Sequence, residues 1–383
     1  MVHSSHRLAL LGTLALGAAL MGCRQKSSAP ANSIVVGEFA SLTGKEATFG
    51  QSSNEGLILG IEEANATGGA LGKQIHLVVE DDGSTNGEAI TIVKKLISRD
   101  HVVAVLGEIA SGRSLEAAPI CQEEKIPMIS PGSTNPAVTQ KGDYIFRVCF
   151  IDPFQGTAMA KFAHDQLHLN RVAVLSSATA PYSAGLAHYF EERFRADGGE
   201  IPIEEKYNDG DKDFRAELTA IKAANVQGIF VPGYYSEVGL ICAQARELGI
   251  TAPLMGGDGW ESPIMLQLAG AAADNCYYST HYSPQNTAPN VQSFVKRFQK
   301  RWNGETPDAM AALGYDCAGV FVDALKRAGS TDPQALRDAI AATKNYPGVT
   351  GVTTIGPDRN AVKPAVIIEL EHGESHFLQT VAP

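Results

Sequence analysis

Short runs rich in β-branched residues alternate along this chain with longer stretches whose apolar positions recur every three to four residues. The first run, 34–39 (Ile-Val-Val-Gly-Glu-Phe), precedes a helical pattern over about 51–66 that stops at Thr67-Gly68-Gly69, where glycine supplies the backbone conformation that ends a helix. Strand patterns follow at 75–79, 102–106 and 127–130, with helical patterns at 87–99 and 114–123 between them. A second series begins after Phe154, with helices to about Leu167 and at 184–197, 214–224 and 237–248, and strands at 171–175, 201–207, 228–231 and 253–255. Alternation of this kind predicts an α/β protein in which helices cover both faces of parallel sheets, here as two similar halves in tandem without residue-level repetition. The stretch 291–343 reads as mainly helical, and strands at 365–370 and 376–380 close the chain.

Ahead of the first strand the pattern is different. An apolar segment from Leu8 to Leu20 follows Arg7, and Met21 and Gly22 stand directly before Cys23. The segment is short for a bilayer span and no charge cluster follows it, so residues 1–22 read as an export signal. Leu20-Met21-Gly22-Cys23 also resembles a bacterial lipobox, in which the cysteine is acylated and becomes the new N-terminus. An ordinary signal peptide cut nearby, with Cys23 an incidental thiol, is the other reading. Residues 23–33 are polar and form a tether. Both readings put the folded part outside the cytoplasm: in the periplasm, anchored as a lipoprotein, or on the surface of a single-membrane cell.

Composition narrows the function classes. Of 383 residues, 44% are hydrophobic and only 7% aromatic, as expected of a globular protein with enough chain for two lobes of ordinary size. The net charge is −11, and no Lys/Arg block interrupts the acidic body, which excludes nucleic acid as a natural partner. Beyond Cys23 stand Cys121, Cys149, Cys242, Cys276 and Cys317; their number is odd and no C-x-x-C occurs, so neither a metal ribbon nor a disulfide scaffold is indicated. One bridge remains open, and spacing does not choose it.

Enzyme readings fail on the residues. The chain has no G-x-S-x-G nucleophile turn and no G-x-x-x-x-G-K-[ST] or G-x-G-x-x-G phosphate cradle, so no cofactor is expected. His164 and His168 stand one helical turn apart, as in a zinc-protease helix, but Asp165 takes the place of the required glutamate and cationic histidines suit a helix C-terminus. His372 and His376 flank a turn, and the pair Asp81-Asp82 at a strand end has no second carboxylate pair to work with. No metal site and no catalysis are expected.

Other segments form a set. They are 41–50 (SLTGKEATFG), 63–72 (EANATGGALG), 129–136 (ISPGSTNP), Phe146-Arg147 leading to 152–156 (DPFQG), Asp213-Phe214, 233–237 (GYYSE), 245–250 (ARELGI) and 255–260 (MGGDGW). In this order and at these separations they closely resemble the leucine/isoleucine/valine-binding branch of the type I periplasmic solute-binding proteins, from about Ile34 to the last strands. The resemblance implies two Rossmann-like lobes joined by a three-segment hinge near Asp152, near His281 and shortly before the final strands. The expected division is 34–151 with 284–360 for the N-terminal lobe and 152–283 with 361–383 for the C-terminal lobe. A solute would sit between them, and an ABC permease would be the partner of what is expected to be a monomer.

Ser111 follows a strand and opens a helix, so its hydroxyl and the free N–H groups of the first turn suit a carboxylate; a simple N-cap is the other role. By the resemblance Thr134 is a second ligand to that carboxylate, with Ser133 beside it, and the Gly132 carbonyl accepts from an ammonium group. Asp258 matches the acidic residue that pairs with the ammonium, although Gly257-Asp258-Gly259 also suits a turn cap. Tyr182 and Tyr234 match positions that close over the solute, and Phe49 one that lines its side chain. Phe49 stands where the family usually has tyrosine, and Asp258 where it often has glutamate. Trp260 and Glu108 are further candidates for the side-chain pocket. The expected function is reception of a branched-chain or related α-amino acid for an ABC importer; an amide, urea-like or aromatic acid solute, or a ligand-presenting sensor, is the alternative.

Overall fold

The computed structural model describes residues 32–383, so the expected export signal, Cys23 and most of the tether lie outside the described residues. The first sheet is built from β1 (Ile34–Ala40), α1 (Ala47–Ala66), β2 (Ile75–Asp81), α2 (Glu88–Ser98), β3 (Val105–Leu106), α3 (Ser111–Glu123), β4 (Met128–Ser130) and β5 (Ile145–Arg147). Its strands pair in parallel in the order β2-β1-β3-β4-β5. That order reverses direction between β1 and β3, the position where the loops leaving the strand ends part to make a crevice.

The chain then crosses to a second sheet through α4 (Asp152–Lys161), which runs into a π-helical turn at Phe162–Gln166. It continues with β6 (Val172–Ser177), α5 (Pro181–Ala196), β7 (Glu204–Tyr207), α6 (Arg215–Ala223), β8 (Gly228–Phe230), α7 (Tyr235–Glu247), β9 (Leu254–Gly256), α8 (Pro263–Ala269) and β10 (Cys276–Thr280). It returns as α9 (Pro289–Arg301), α10 (Ala309–Ala328) and α11 (Pro333–Ala341), makes a small sheet of β11 (Tyr346–Gly348), β12 (Gly351–Ile355) and β13 (Ala361–Val362), and crosses again to β14 (Ala365–Glu371) and β15 (Glu374–Val381). The second sheet has the order β15-β14-β10-β9-β8-β6-β7. Its inner strands are parallel, whereas β14 and β15 are antiparallel, so the sheet is mixed at one edge.

Both faces of the first sheet are covered. Leu57 and Ile61 of α1 meet Cys317, Phe321 and Leu325 of α10 over Val36, Leu106 and Ile129, while Val93 and Leu96 of α2 and Ala117 of α3 cover Val105 and Met128 on the other side. The α1–α10 seam is tight because side chains are missing from it: a Cβ on Gly56 would meet Ala311 O at 1.9 Å, and one on Gly314 would meet Ser53 O at 2.1 Å. Replacing either glycine forces the helices apart.

Some elements depart from the sequence reading. β7 begins at Glu204, not at residue 201, because Pro202 has no N–H to give the ladder. Strands β5, β10 and β11 to β13 and the helix α8 were not expected; each is short, and none carries enough periods to register as a pattern.

Candidate functional site

The loops that leave β1, β3 and β4 converge on the loops that leave β6, β8 and β9 of the other sheet. Between them lies a nearly closed crevice, with only about 10 Å³ of free space, lined by Phe49, Ile109, Gly132, Thr134, Tyr182, Tyr234, Asp258, Gly259 and Met310. That is far below the roughly 300–1,000 Å³ of ligand pockets, so a solute enters only when the two sides part. The first-sheet side is largely apolar. Phe49, in the first turn of α1, is buried and sits edge-on to Tyr234 and Tyr235, with ring centres 5.7 and 4.9 Å apart. Ile109 and Met310 complete that wall.

Polar groups stand at two ends. At one, Thr134 is buried and its Oγ1 has no hydrogen-bond partner. Near it α3 starts at Ser111 with no side chain capping its first turn, which leaves the positive end of the helix open, but Ser111 itself does not line the cavity. Ser111 is the first helical residue rather than the N-cap, which is Ala110, and its Oγ accepts from Asn135 N at 3.2 Å. Ser133 does not join the lining. Its hydroxyl is turned inward, bonded to the carbonyls of Glu108 (2.9 Å) and Ile109 (3.1 Å) and to Ser114 Oγ (2.8 Å), and holds the β3 and β4 loops together.

At the other end Asp258 is almost fully buried and gripped by three donors. Its Oδ1 accepts from Gln155 Nε2 and Tyr182 Oη, both at 2.9 Å, and its Oδ2 lies 3.0 Å from His281 Nε2. Burial holds the His281 imidazole below its ordinary pKa, so the ring is neutral near pH 7 and Nε2 carries the proton that Asp258 accepts. A carboxylate has about four acceptor directions, so one remains for a solute cation. Gly257 and Gly259 flank Asp258 because Tyr182 packs against this backbone: a Cβ on Gly257 would lie 2.7 Å from Tyr182 Oη, and one on Gly259 2.5 Å from Gly233 O. Tyr182 and Tyr234 stack at 5.0 Å with an interplanar angle of 10°.

Two other candidates point elsewhere. Glu108 accepts from Ser41 N at 3.0 Å and from Ala110 N, and burial pushes its carboxyl up to about 8. Trp260 donates to Val231 O at 2.9 Å and borders a larger, more open cavity of about 550 Å³ beside α8 and β14. Size would favour that second cavity, but the small one is where the free Thr134 hydroxyl and Asp258 face one another, and those groups discriminate among solutes. His164 and His168 do not come together over an ion; His164 pairs with Asp165 at 2.8 Å.

Bonds between the two sides hold the crevice shut. Lys45 Nζ lies 3.2 Å from Asp209, Thr48 Oγ1 donates to Ser262 Oγ at 3.0 Å, and Asn135 Nδ2 donates to Pro181 O at 2.8 Å.

Sequence reasoning did not assign Ile109, Met310, Gln155 or His281 to the site. Gln155 lies inside the 152–156 stretch and Ile109 two residues before Ser111, so position alone pointed to them. Met310 comes from α10, remote in sequence from every other lining residue, and nothing local marks it.

Comparison with known proteins gives a consistent result. Residues 33–375 match the family model described as periplasmic binding protein. The chain is 32% identical over 343 residues to a Leu/Ile/Val-binding protein homolog of Brucella abortus, covering 89% of this chain and 91% of that protein. Among solved structures it resembles a leucine-binding protein of Thermotoga maritima, with a TM-score of 0.88, 36% identity and coverage of 91% of this chain and 99% of the other. It also resembles a branched-chain amino acid transporter substrate-binding protein of Streptococcus pneumoniae solved with isoleucine, with a TM-score of 0.87, 33% identity and coverage of 92% and 100%.

Proposed function

The chain belongs to the periplasmic binding protein family, and on that premise we propose that it is the receptor of an ABC importer that holds a branched-chain α-amino acid between its two lobes. The observation that carries this reading is the polarity of the cavity: an unpartnered hydroxyl at one end, a buried carboxylate at the other, and Phe49, Ile109 and Met310 between them. An α-carboxylate suits Thr134, Ser111 and the α3 N-terminus. An α-ammonium suits Asp258 and the Gly132 carbonyl, and an aliphatic side chain suits the apolar wall, with Tyr182 and Tyr234 closing over it. The relatives' names, which specify leucine, isoleucine and valine, agree with that chemistry.

The lobes proposed are 34–151 with 284–360 and 152–283 with 361–383. A solute touching both shifts the open–closed equilibrium, and the closed form is what the permease recognises. Acylation of Cys23 would keep the receptor at the membrane surface. The test is a thermal-shift screen of ligand-stripped protein against leucine, isoleucine, valine, benzoate, short amides and urea. Stabilisation by the aliphatic amino acids supports the reading; stabilisation by benzoate or an amide alone replaces the solute.

A further inference from the structure

We propose that Cys242 and Cys276 form a disulfide in the exported protein, tying helix α7 to strand β10. All the cysteines of the described residues are buried. Cys149 and Cys317 direct their sulfurs to the carbonyls of Ser133 and Ile129, whereas Cys242 Sγ and Cys276 Sγ face each other at 4.0 Å, although 34 positions separate them in sequence. No other two cysteine sulfurs among the described residues come within hydrogen-bonding distance.

The surroundings suit exchange chemistry. Arg246 Nη2 lies 3.8 Å from Cys276 Sγ, and a neighbouring guanidinium favours the thiolate. In the packed protein the hydrogen bond from Cys242, and then Arg246, hold the Cys276 thiol below its ordinary range; before α7 packs, either cysteine can be the first to attack, and for Cys276 the steps are these. Its thiolate attacks the disulfide of a thiol–disulfide oxidase, forming a mixed disulfide and releasing one oxidase thiolate. Cys242 thiolate then attacks the Cys276 sulfur and expels the second. The two cysteines lose two protons and two electrons, and the oxidase disulfide becomes a dithiol. Because both sulfurs are buried in the folded protein, exchange precedes the packing of α7 onto the sheet. The bridge would join the elements that deliver two site residues, since α7 starts directly after Tyr234 and β10 ends directly before His281.

The inference rests on an extracytoplasmic location, and the test separates the two. Protein refolded in a glutathione redox buffer, denatured in an alkylating reagent without reductant and mapped by peptide mass spectrometry should show Cys242 linked to Cys276 and Cys121, Cys149 and Cys317 alkylated. Alkylation of both Cys242 and Cys276 overturns the proposal wherever the protein resides. The same mapping of protein taken from cells reports on location alone. As a second measurement, reductant should lower the wild-type melting temperature by roughly 5–15 °C and leave a Cys242→Ala/Cys276→Ala protein unmoved. An equal response of the two proteins also overturns it.

Discussion

His281 Nε2 lies 3.0 Å from Asp258 Oδ2, so a residue at one of the points where the chain passes between sheets holds the carboxylate that faces the cavity. The His281 ring is itself fixed by stacking on Phe150, on another crossing, at a centroid distance of 3.8 Å. Exchanging His281 for Phe keeps the stacking and removes the donor. Solute affinity should fall by about 1.5–3 kcal/mol, roughly ten- to a hundredfold, although His281 does not line the cavity. Unchanged affinity in calorimetric titration would show that Asp258 needs no such support.

Asp258→Asn tests the ammonium contact directly. For an α-amino acid the loss of a buried charge partner should cost about 2–5 kcal/mol. For the deaminated analogue the sign reverses, because the substitution removes repulsion between two buried anions. Equal responses of the two ligands would exclude Asp258 as the cation partner.

The Lys45–Asp209 pair spans the mouth of the crevice with side chains 33% and 24% exposed. Such a pair contributes no more than about 1 kcal/mol and is screened by salt. Lys45→Ala should therefore weaken solute binding less than about fivefold at low salt, with the difference vanishing at high salt. A larger loss that salt does not remove would assign Lys45 a direct role.

Glu38, on strand β1 of the first sheet, is buried, with Asn54 Nδ2 donating to Oε2 and no partner for Oε1, and burial raises its pKa from 4.5 to about 8. The folded state thus keeps a proton that the unfolded chain releases. The stability Glu38 contributes is fully present below pH 4.5 and is lost as pH rises toward about 8. Relative to Glu38→Gln, the wild type should lose up to roughly 1.4 kcal/mol per pH unit across that window, read from denaturant midpoints. Parallel pH profiles of the two proteins would contradict the assignment.

The sequence made the core strands and their helices legible because β1, β2 and β6 carry short β-branched or apolar runs, Ile-Val-Val, Leu-Val-Val and Val-Ala-Val-Leu. β10 (Cys-Tyr-Tyr-Ser-Thr) offers no alternation, since its burial is decided by β9 and β14 on either side. At the site, Thr134, Tyr182, Tyr234 and Asp258 were readable as residues at strand ends, but the direction of a hydroxyl was not: Ser133 and Thr134 are neighbours, and only the second faces the cavity.

The glycine seam between α1 and α10 sets the order in which the protein can mature. One face of the first sheet stays only partly covered, by α1, until residues 309–328 have been made and have come back to complete it. The opening strands emerge early yet find their closing partner only near the end of synthesis. Gly56 and Gly314 mark where that late helix locks in.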